Sequence, residues 1–456
     1  MATAHLPRGG WRPRLAKRAA MMTAMGAVGA LALAACAPGS DNTASTTVGE
    51  VSTELTSEEI TLTIADETGF PVTDVLAEEF TKQYPNVTFN ITRDTFANLT
   101  ANAPKLMASD DAPDLIRLPT MGDTVRDGLL ADLDPYYEAY GWDTWAPSQL
   151  AALRMDEEGS RGNGPLYQLG LGYSVTGIYM NTEVAAELGI DAPPATMAEL
   201  EEDLATAKEA GVLPIMAGDK DGVVNFVIQA AMNQYSDKSE FLDWMFTKPG
   251  ARYDTEGNIQ GAELVRTWAD AGYFPSDINA IDYASFVSRF QEGEGLFSFN
   301  GNWAAADNQE KMGDDVSFFL VPPLQEGDKH VAMGAANSFS IPAKSKHINE
   351  MAFFLNWVHT NEEARQIIVD VTGASPGGDP SLPQPAVEEG SLIDNALKMS
   401  AQISEEDGQV DFMSNTTSGI YAGSIIPESQ QLVTSKITGE EFVRAVQEFY
   451  ERETAD

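Results

Sequence analysis

Residues 60–91 read ITLTIADETGFPVTDVLAEEFTKQYPNVTFNI. They contain a longer stretch with periodic apolar residues and one short stretch on each side of it. Ile60–Ile64 and Val87–Ile91 alternate apolar and polar residues, which is the period of a half-buried strand. Between them, Val72–Tyr84 places apolar side chains at helical spacing, and Pro85 ends the helix because it cannot continue the backbone hydrogen bonds. This order predicts two parallel strands joined by a helix.

The alternation of strand and helix continues beyond this unit. A helix at Asn98–Ala108 and a buried strand at Asp114–Leu118 complete a first α/β region, and the alternation resumes after Tyr173. The later segments predict strands at 177–180, 213–216, 295–299 and 338–341, and helices at 197–210, 223–234, 261–271, 283–292, 348–360 and 439–452. Together they predict an α/β protein with two lobes and a largely helical C-terminal part.

The N-terminal residues have the layout of a secretory signal. Five basic residues and no acidic residue precede an Ala-rich apolar run at 19–35, which is shorter than the roughly 20 residues that span a membrane. The run ends in LAAC at 33–36, which resembles a bacterial lipobox, and Cys36 is the only cysteine in the chain. The resemblance implies cleavage before Cys36, lipid on that residue, and a flexible polar tether at 36–54. The alternative is an ordinary signal peptide with an incidental cysteine.

The charge of the chain restricts its partners. The formal net charge is −41, and without the five basic residues of the signal 23 basic and 69 acidic residues leave −46. Nucleic acid and anionic lipid headgroups would be repelled by such a surface. We therefore expect no nucleic-acid partner, and membrane contact only through the lipid anchor.

Several local patterns occur in a fixed order over roughly residues 55–375. They are VLAEEFTKQYPNV (75–87), APDLI (112–116), DGLLADL (127–133), PATMAEL (194–200), FVSRFQEGEGLFSFNGNW (286–303), SIPAKSK (340–346) and AFFLNW (352–357). In this order they resemble bacterial extracellular solute-binding proteins of the carbohydrate group. Met197 departs from that family, which usually has tryptophan there, and Leu296-Phe297 stands where Ala-Met is usual.

The resemblance implies the two-lobed fold of periplasmic binding proteins, a venus flytrap in which each lobe is a helix-flanked sheet and a ligand is held between the lobes. The chain would cross between lobes near 170–174, 330–334 and 372–378, where its glycines suit a hinge. The predicted divisions are a signal peptide at 1–35, a tether at 36–54, an N-terminal lobe at 55–171 plus 332–373, and a C-terminal lobe at 174–330 plus 378–456.

The resemblance also implies a function. The protein would be a monomer anchored by lipid to the extracellular face of the cell membrane. It would capture a carbohydrate, in particular an oligosaccharide, and deliver it to the permease subunits of an ABC importer. The permease and the ATPase would be separate chains.

A carbohydrate site needs flat aromatic side chains for the C–H faces of the sugar and polar groups for its hydroxyls. Trp303 follows Gly301 at a predicted strand end, where the resemblance implies a sugar-stacking tryptophan; the alternative is a core tryptophan that covers the strand. The other candidates follow strands, lie in crossovers or share a helix face, and each has packing or surface exposure as its alternative: Tyr173, Asp66, Glu67, Thr68, Arg93, Asp94, Thr120, Asn225, Gln229, Asn302, Asn337, Tyr283 and Tyr421.

Catalytic and cofactor motifs are missing from the sequence. It contains no GxxxxGK[ST] phosphate loop and no GxSxG nucleophile motif, and its four histidines lack metal-ligand spacing. We therefore expect a binding protein that is not an enzyme and that uses neither a cofactor nor a metal. Two alternatives remain, a surface-anchored carbohydrate-active enzyme and a binding protein for a solute other than a sugar.

Overall fold

The strands begin with the predicted unit and continue to residue 410. The computed structural model describes residues 50–145, 147–156 and 159–455, so the predicted signal peptide and Cys36 lie outside the described residues. The strands are β1 (Ile60–Glu67), β2 (Val87–Asp94), β3 (Leu115–Arg117), β4 (Arg154–Met155), β5 (Arg161–Leu166), β6 (Leu169–Asn181), β7 (Phe297–Gly301), β8 (Val316–Phe319), β9 (Ala332–Ser340) and β10 (Gln409–Val410).

The helices lie between and after these strands. They are α1 (Val72–Gln83), α2 (Phe96–Ala108), α3 (Gly122–Arg126), α4 (Asp134–Tyr140), α5 (Pro147–Ala151), α6 (Thr182–Leu188), α7 (Met197–Glu209), α8 (Asn225–Tyr235), α9 (Lys238–Met245), α10 (Glu256–Asp270), α11 (Tyr283–Gln291), α12 (Ala305–Met312), α13 (Ile348–Thr360), α14 (Glu362–Thr372), α15 (Leu392–Glu405), α16 (Ile426–Leu432) and α17 (Gly439–Thr454).

Local sequence signals account for several of these boundaries. Helix α1 ends at Gln83, two residues before the proline that was predicted to stop it. Helix α7 begins after Thr196, whose side chain accepts a hydrogen bond from the Glu199 N–H. At the start of α17, Thr438 and Glu441 bond each other's backbone N–H groups reciprocally, which satisfies two of the free donors of the first turn.

The first α/β region is a parallel sheet, as predicted. Strand β1 pairs in parallel with β2, from Ile60 opposite Val87 to Glu67 opposite Asp94. Strand β3 pairs in parallel with the other edge of β1. The carboxyl ends of β1 and β2 therefore lie side by side, which places the segments after both strands at one edge of the sheet.

Strand β6 joins this sheet to a second group of strands. Its first part, Leu169–Val175, pairs antiparallel with β9, which also pairs with β3. Its second part, Thr176–Asn181, pairs antiparallel with β7 and β8. The order across the sheet is β2-β1-β3-β9-β6-β7, with β8 on β6 and β10 on β9.

Two separate hydrophobic clusters form the main cores. The first core includes Phe80, Trp142, Phe339, Phe354 and Trp357, and the second core includes Trp244, Tyr253, Trp268, Phe297 and Phe442. Five tryptophans are buried in the described residues, namely Trp142, Trp145, Trp244, Trp268 and Trp357. The predicted fold class is confirmed by this arrangement and by the structural comparisons given below. The predicted lobe boundaries remain predictions.

Three chain segments meet where β6 passes from one core to the other. The backbones of Tyr173 and Ser375 bond each other in both directions, at 2.8 and 3.2 Å, and Tyr173 is also opposite Ala336 in β9. Gly172 has φ +103°, and a Cβ there would approach Ile368 to 3.0 Å. Glycine is required at this position because other residues rarely adopt that backbone conformation. These segments lie at or beside the predicted crossovers.

Predicted and observed strands differ at several places, since β8 and β10 lie where no strand was predicted. The segment 213–216 contributes only an isolated parallel bridge between Ile215 and Phe297, because Pro214 lacks the N–H that a regular ladder needs. The antiparallel pair β4–β5 lies in a stretch for which no strand was predicted, and RGNGPL at 161–166 contains two glycines and a proline. Its pairing gives it a strand conformation that local propensity does not favour.

The described part of the predicted tether is packed against the protein. The Ser52 N–H donates to Asn349 Oδ1 at 3.0 Å, and Asn349 Nδ2 donates to the Glu50 carbonyl at 3.2 Å. Val51 and Leu55 pack against the first core. These contacts place residues 50–54 against the first core, and the boundary of the tether stays a prediction.

A buried histidine holds the third segment at the crossover. His359 is fully buried, its ring lies 4.5 Å from that of Trp145, and its Nδ1 is 3.1 Å from the Pro376 carbonyl. Arg365 links the same elements through the carbonyls of His359 and Gly377. Burial, with a smaller contribution from the Arg365 charge, lowers the pKa of His359 to about 4.

This pKa predicts a loss of stability in acid. Between the unfolded value near 6.5 and the folded value, the unfolded chain binds a proton that folded His359 does not, so the free energy of unfolding falls as the pH falls. We expect wild type to lose about 2 kcal/mol between pH 7 and 5 relative to His359→Gln. Urea unfolding of both proteins at the two pH values measures this difference. An equal pH dependence in both proteins would contradict the assignment.

Candidate functional site

Three partly exposed aromatic rings come together at the end of β7. Trp303 lies in a short helical turn after Gly301, and its ring is 5.7 Å from Phe226 and 6.1 Å from Phe412. Phe226 and Phe412 are themselves 5.9 Å apart. A Cβ on Gly301 would lie 1.9 Å from the indole. The ring therefore packs directly on the Gly301 backbone, and any larger residue at this position would displace it. We call Trp303, Phe226 and Phe412 the aromatic cluster.

Tyr283 fixes the orientation of the indole. The Trp303 Nε1–H donates to the Tyr283 hydroxyl at 2.8 Å, and Asn300 Nδ2 donates to the same oxygen at 3.3 Å. Tyr283 is the first residue of α11, where Asp282 caps the helix by accepting the Ser285 N–H. Burial raises the pKa of Tyr283 to about 12, so its hydroxyl is protonated at neutral pH.

One residue of the first α/β region contacts a tyrosine near the aromatic cluster. The Phe96 ring at the start of α2 is 5.9 Å from Tyr421, nearly at right angles to it. Burial raises the pKa of Tyr421, and the charges of Asp221, Asp219 and Glu67 raise it further. The charge of Glu67 also acts on Tyr283. Phe96 of the first region therefore contacts Tyr421, and the charge of Glu67 reaches both Tyr283 and Tyr421.

Arg93 and Asp66 are largely occupied by each other and their neighbours. Arg93 donates to the buried Asp66 carboxylate at 3.1 Å, to Asp74 at 2.5 Å and to the Phe70 carbonyl at 3.1 Å. Asp66 also accepts from Thr73 at 2.5 Å. Burial raises the pKa of Asp66, against the opposing effect of Thr73 and the arginines. The network fixes the segments after β1 and β2 and leaves these two side chains few free groups for a ligand.

The other candidates in this region differ in exposure. Glu67 pairs with Arg117 at 3.3 Å and is partly exposed, and burial is the main cause that raises its pKa. Thr68 and Asp94 are exposed, and the Thr68 N–H donates to the Asp94 carbonyl at 2.8 Å. Thr120 is buried. Glu67, Thr68 and Asp94 thus retain exposed surface at the carboxyl edge of the sheet.

The candidates in the crossovers serve mainly to connect segments. Asn302 is fully buried, accepts from the Val175 N–H at 3.2 Å and donates to the Gly373 carbonyl at 3.1 Å. Asn337 accepts from the Ser174 hydroxyl at 3.2 Å. The Tyr173 hydroxyl donates weakly to the Gln149 carbonyl at 3.4 Å, and its ring lies where a Cβ of Gly377 would be. Tyr173 therefore packs in the hinge, which was its alternative interpretation.

The two predicted amides on α8 have different environments. Gln229 is fully buried, donates to the Asp411 carbonyl at 2.7 Å and accepts from the Met413 N–H at 2.8 Å. It therefore supports the segment that carries Phe412 and does not form a polar stripe with Asn225 toward a cleft. Asn225 lies near the Tyr421 hydroxyl.

Sequence reasoning missed Phe226, Phe412 and Asp221 as members of the site. Phe226 follows Asn225 in an apolar helix, and Phe412 lies between two buried residues in a loop. Their proximity to Trp303 comes from tertiary packing, which periodicity does not report. The position of Phe226 beside a predicted polar residue was the one available signal.

Metal and membrane features are missing from the described residues. No group of three or more His, Cys, Asp or Glu side chains in residues 50–145, 147–156 and 159–455 is arranged to hold a metal ion. Within these same ranges, no helix combines the length and the apolar character that crossing a membrane requires.

A strand shared by two cores, with aromatic and polar side chains beside it at a strand end, defines a two-lobed solute-binding protein. The chain belongs to the bacterial extracellular solute-binding protein family, whose model matches residues 65–365. This confirms the resemblance seen in the sequence.

Individual relatives agree with this membership. The chain is 26% identical over 220 residues to the multiple sugar-binding protein of Streptococcus mutans serotype c (strain ATCC 700610 / UA159), covering 46% of this chain and 51% of that protein. The chain thus matches about half the length of this curated relative.

Two solved structures share the fold at low identity. A chitin oligosaccharide binding protein has a TM-score of 0.72 at 18% identity, covering 87% of this chain and all of the other. RafE in complex with raffinose has a TM-score of 0.66 at 18% identity, covering 86% and 100% of the two chains.

A buried ion pair holds the segment that carries Phe412. Arg161 in β5 donates to Asp411 at 2.8 Å, and the two side chains are only 5% and 7% exposed. Asp411 also accepts from the Phe412 N–H at 2.7 Å and from Asn415 Nδ2 at 2.8 Å. The pair joins β5, whose Leu166 belongs to the first core, to a segment of the second core.

Removal of one partner should be costly. Arg161→Met leaves the Asp411 carboxylate buried without its cation, and we expect the free energy of unfolding to fall by about 3–5 kcal/mol. The control Arg252→Met breaks an exposed pair with Asp254 and should cost less than about 1 kcal/mol. Urea unfolding measures both variants. Equal losses in the two variants would show that the Arg161–Asp411 pair contributes no more to the free energy of unfolding than a surface ion pair.

Proposed function

We propose that this protein is the substrate-binding component of an ABC importer and that it binds a carbohydrate, in particular an oligosaccharide, between its two lobes. The observation that carries the proposal is the aromatic cluster, in which Tyr283 fixes the indole, together with the contact between Phe96 of the first α/β region and Tyr421. Flat rings match the apolar faces of a sugar, and the surrounding carboxylates and amides match its hydroxyl groups. The names of the Streptococcus mutans relative and of the two solved structures support a sugar ligand.

The mechanism needs only binding and closure. A ligand that contacts both lobes binds the closed state more tightly than the open state and so shifts the hinge equilibrium toward closure. The closed monomer would then dock on its permease, while separate chains hydrolyse ATP. Because binding alone performs this task, the protein is proposed to work without catalysis and without a cofactor.

The proposed location is the extracellular face of the cell membrane. Support comes from the charged, apolar and small residues before Cys36 and from the lipobox-like LAAC at 33–36. An acyl anchor rather than a basic surface suits a chain with this excess of acidic residues.

Binding is tested by thermal shift with neutral sugars such as raffinose, maltotriose and chitotriose. A ligand at about 100 times its Kd should add roughly 2.7 kcal/mol of stability. In Trp303→Ala we expect the affinity to fall on the order of 30-fold, because the variant loses most of the apolar contact surface. The control Tyr137→Ala removes a partly exposed ring that lies under Arg154, outside the aromatic cluster.

The outcomes separate the alternatives. Each variant is compared with its own ligand-free melting temperature, so a change in stability does not imitate a change in binding. An unchanged affinity in Trp303→Ala would remove this residue from the site. Chromatography of the recovered sugar distinguishes an enzyme, which would cleave it, from a binding protein, which returns it intact. If only non-sugar solutes raise the melting temperature, the protein binds a solute other than a sugar.

The anchor is tested in bacterial cells that produce the full chain. Cys36→Ser removes the thiol that would carry the lipid, so we expect the protein to move from the membrane fraction to the medium or periplasm. Ser40→Ala, a substitution in the same segment that keeps Cys36, serves as the control. Membrane association that persists in Cys36→Ser would contradict lipid anchoring at this residue.

A further inference from the structure

An acidic turn before α8 is bonded to the residues around the aromatic cluster. The Asp221 Oδ2 accepts from the Tyr283 N–H at 3.3 Å, and the Asp221 carbonyl accepts from the Tyr421 hydroxyl at 2.7 Å. The hydroxyl of Tyr283 in turn accepts from the Trp303 indole. Two tyrosines therefore connect Asp221 to the residues around the aromatic cluster.

Two oxygen atoms at this turn accept no hydrogen bond from any of the described residues. They are Asp221 Oδ1 and Asn225 Oδ1, and both atoms are buried. Asn225 as a whole is only 1% exposed. The orientation of its amide is fixed because Nδ2 donates to the Gly222 carbonyl at 2.7 Å, and a flipped amide would place two acceptors together. Buried acceptors without donors are unfavourable, so a ligand that supplies donors gains affinity here.

The cations near the site are already matched with carboxylates. Arg93 contacts Asp66 and Asp74, Arg117 contacts Glu67, and Lys220 contacts Asp282. Asp221 forms no ion pair among the described residues. A ligand that reaches this turn therefore meets two acceptor oxygens without donors and a carboxylate without an ion-pair partner, since Lys220 is paired with Asp282.

From this arrangement we propose that Asp221 and Asn225 determine specificity for neutral sugars. Hydroxyl groups of the ligand donate to Asp221 Oδ1 and Asn225 Oδ1, whereas a sugar that carries a carboxylate or sulfate meets an uncompensated negative charge. The inference rests on the proposed carbohydrate function and adds to it the chemical class of the sugar and the residues that select it.

The experiment compares each neutral sugar that binds with the same sugar whose primary hydroxyls have been oxidised to carboxylates. Isothermal titration calorimetry at pH 7 should show binding of the oxidised form that is weaker on the order of 100-fold. In Asp221→Asn we expect this preference to narrow by about tenfold, because the variant removes the charge and keeps the shape. Asp243→Asn removes an equal charge from a surface pair with Lys248 and should leave the preference unchanged.

A second variant tests the amide. Asn225→Leu removes the unpaired acceptor, and we expect the affinity for the neutral sugar to fall by about tenfold. Equal affinities for the neutral and oxidised forms, or an unchanged preference in Asp221→Asn, would overturn this inference while the carbohydrate function stands. If neither form of any sugar binds, the proposed function itself fails.

Discussion

Strand β6 belongs to both halves of the protein, because its first part pairs with β9 and its second part pairs with β7 and β8. The two cores are therefore joined by continuous β-structure at this strand, and the positions of the site residues depend on it. Trp303 follows the strand that pairs with the second part of β6, whereas Glu67 is the last residue of β1, on the other side of β3 and β9. The backbone hydrogen bonds between Tyr173 and Ser375 attach a third chain segment to β6 between its two parts.

Most of the fold could be predicted from the sequence because its elements carry local signals. The parallel unit at 60–91 has alternating strands, a helix with apolar periodicity and a proline that ends it, and helix Ile348–Thr360 has its predicted bounds. The β4–β5 pair lacked such a signal because its glycines and proline disfavour a strand. Residues 50–54 read as a polar tether, and only the contacts with Asn349 and the first core show that they are packed.

The site was predictable in position and less so in composition. Strand ends point to Trp303 and Glu67, since polar and aromatic residues follow predicted strands there, and their part in binding stays a prediction. Whether a polar side chain is free to bind a ligand depends on its tertiary partners. The amide nitrogen and oxygen of Gln229 both bond to the 411–413 segment, whereas the amide oxygen of Asn225 has no donor among the described residues. Sequence spacing alone treats the two residues alike.

The Arg161–Asp411 ion pair has a mechanical consequence. Arg161 bonds the Ala152 carbonyl beside the first core and lies over the Phe246 ring beside the second core, and its partner Asp411 directly precedes Phe412 of the aromatic cluster. One buried side chain thus contacts both cores next to the cluster. A change in the distance between the cores would stretch or break contacts of Arg161, and the surface that Phe412 offers to an incoming solute would respond to that change.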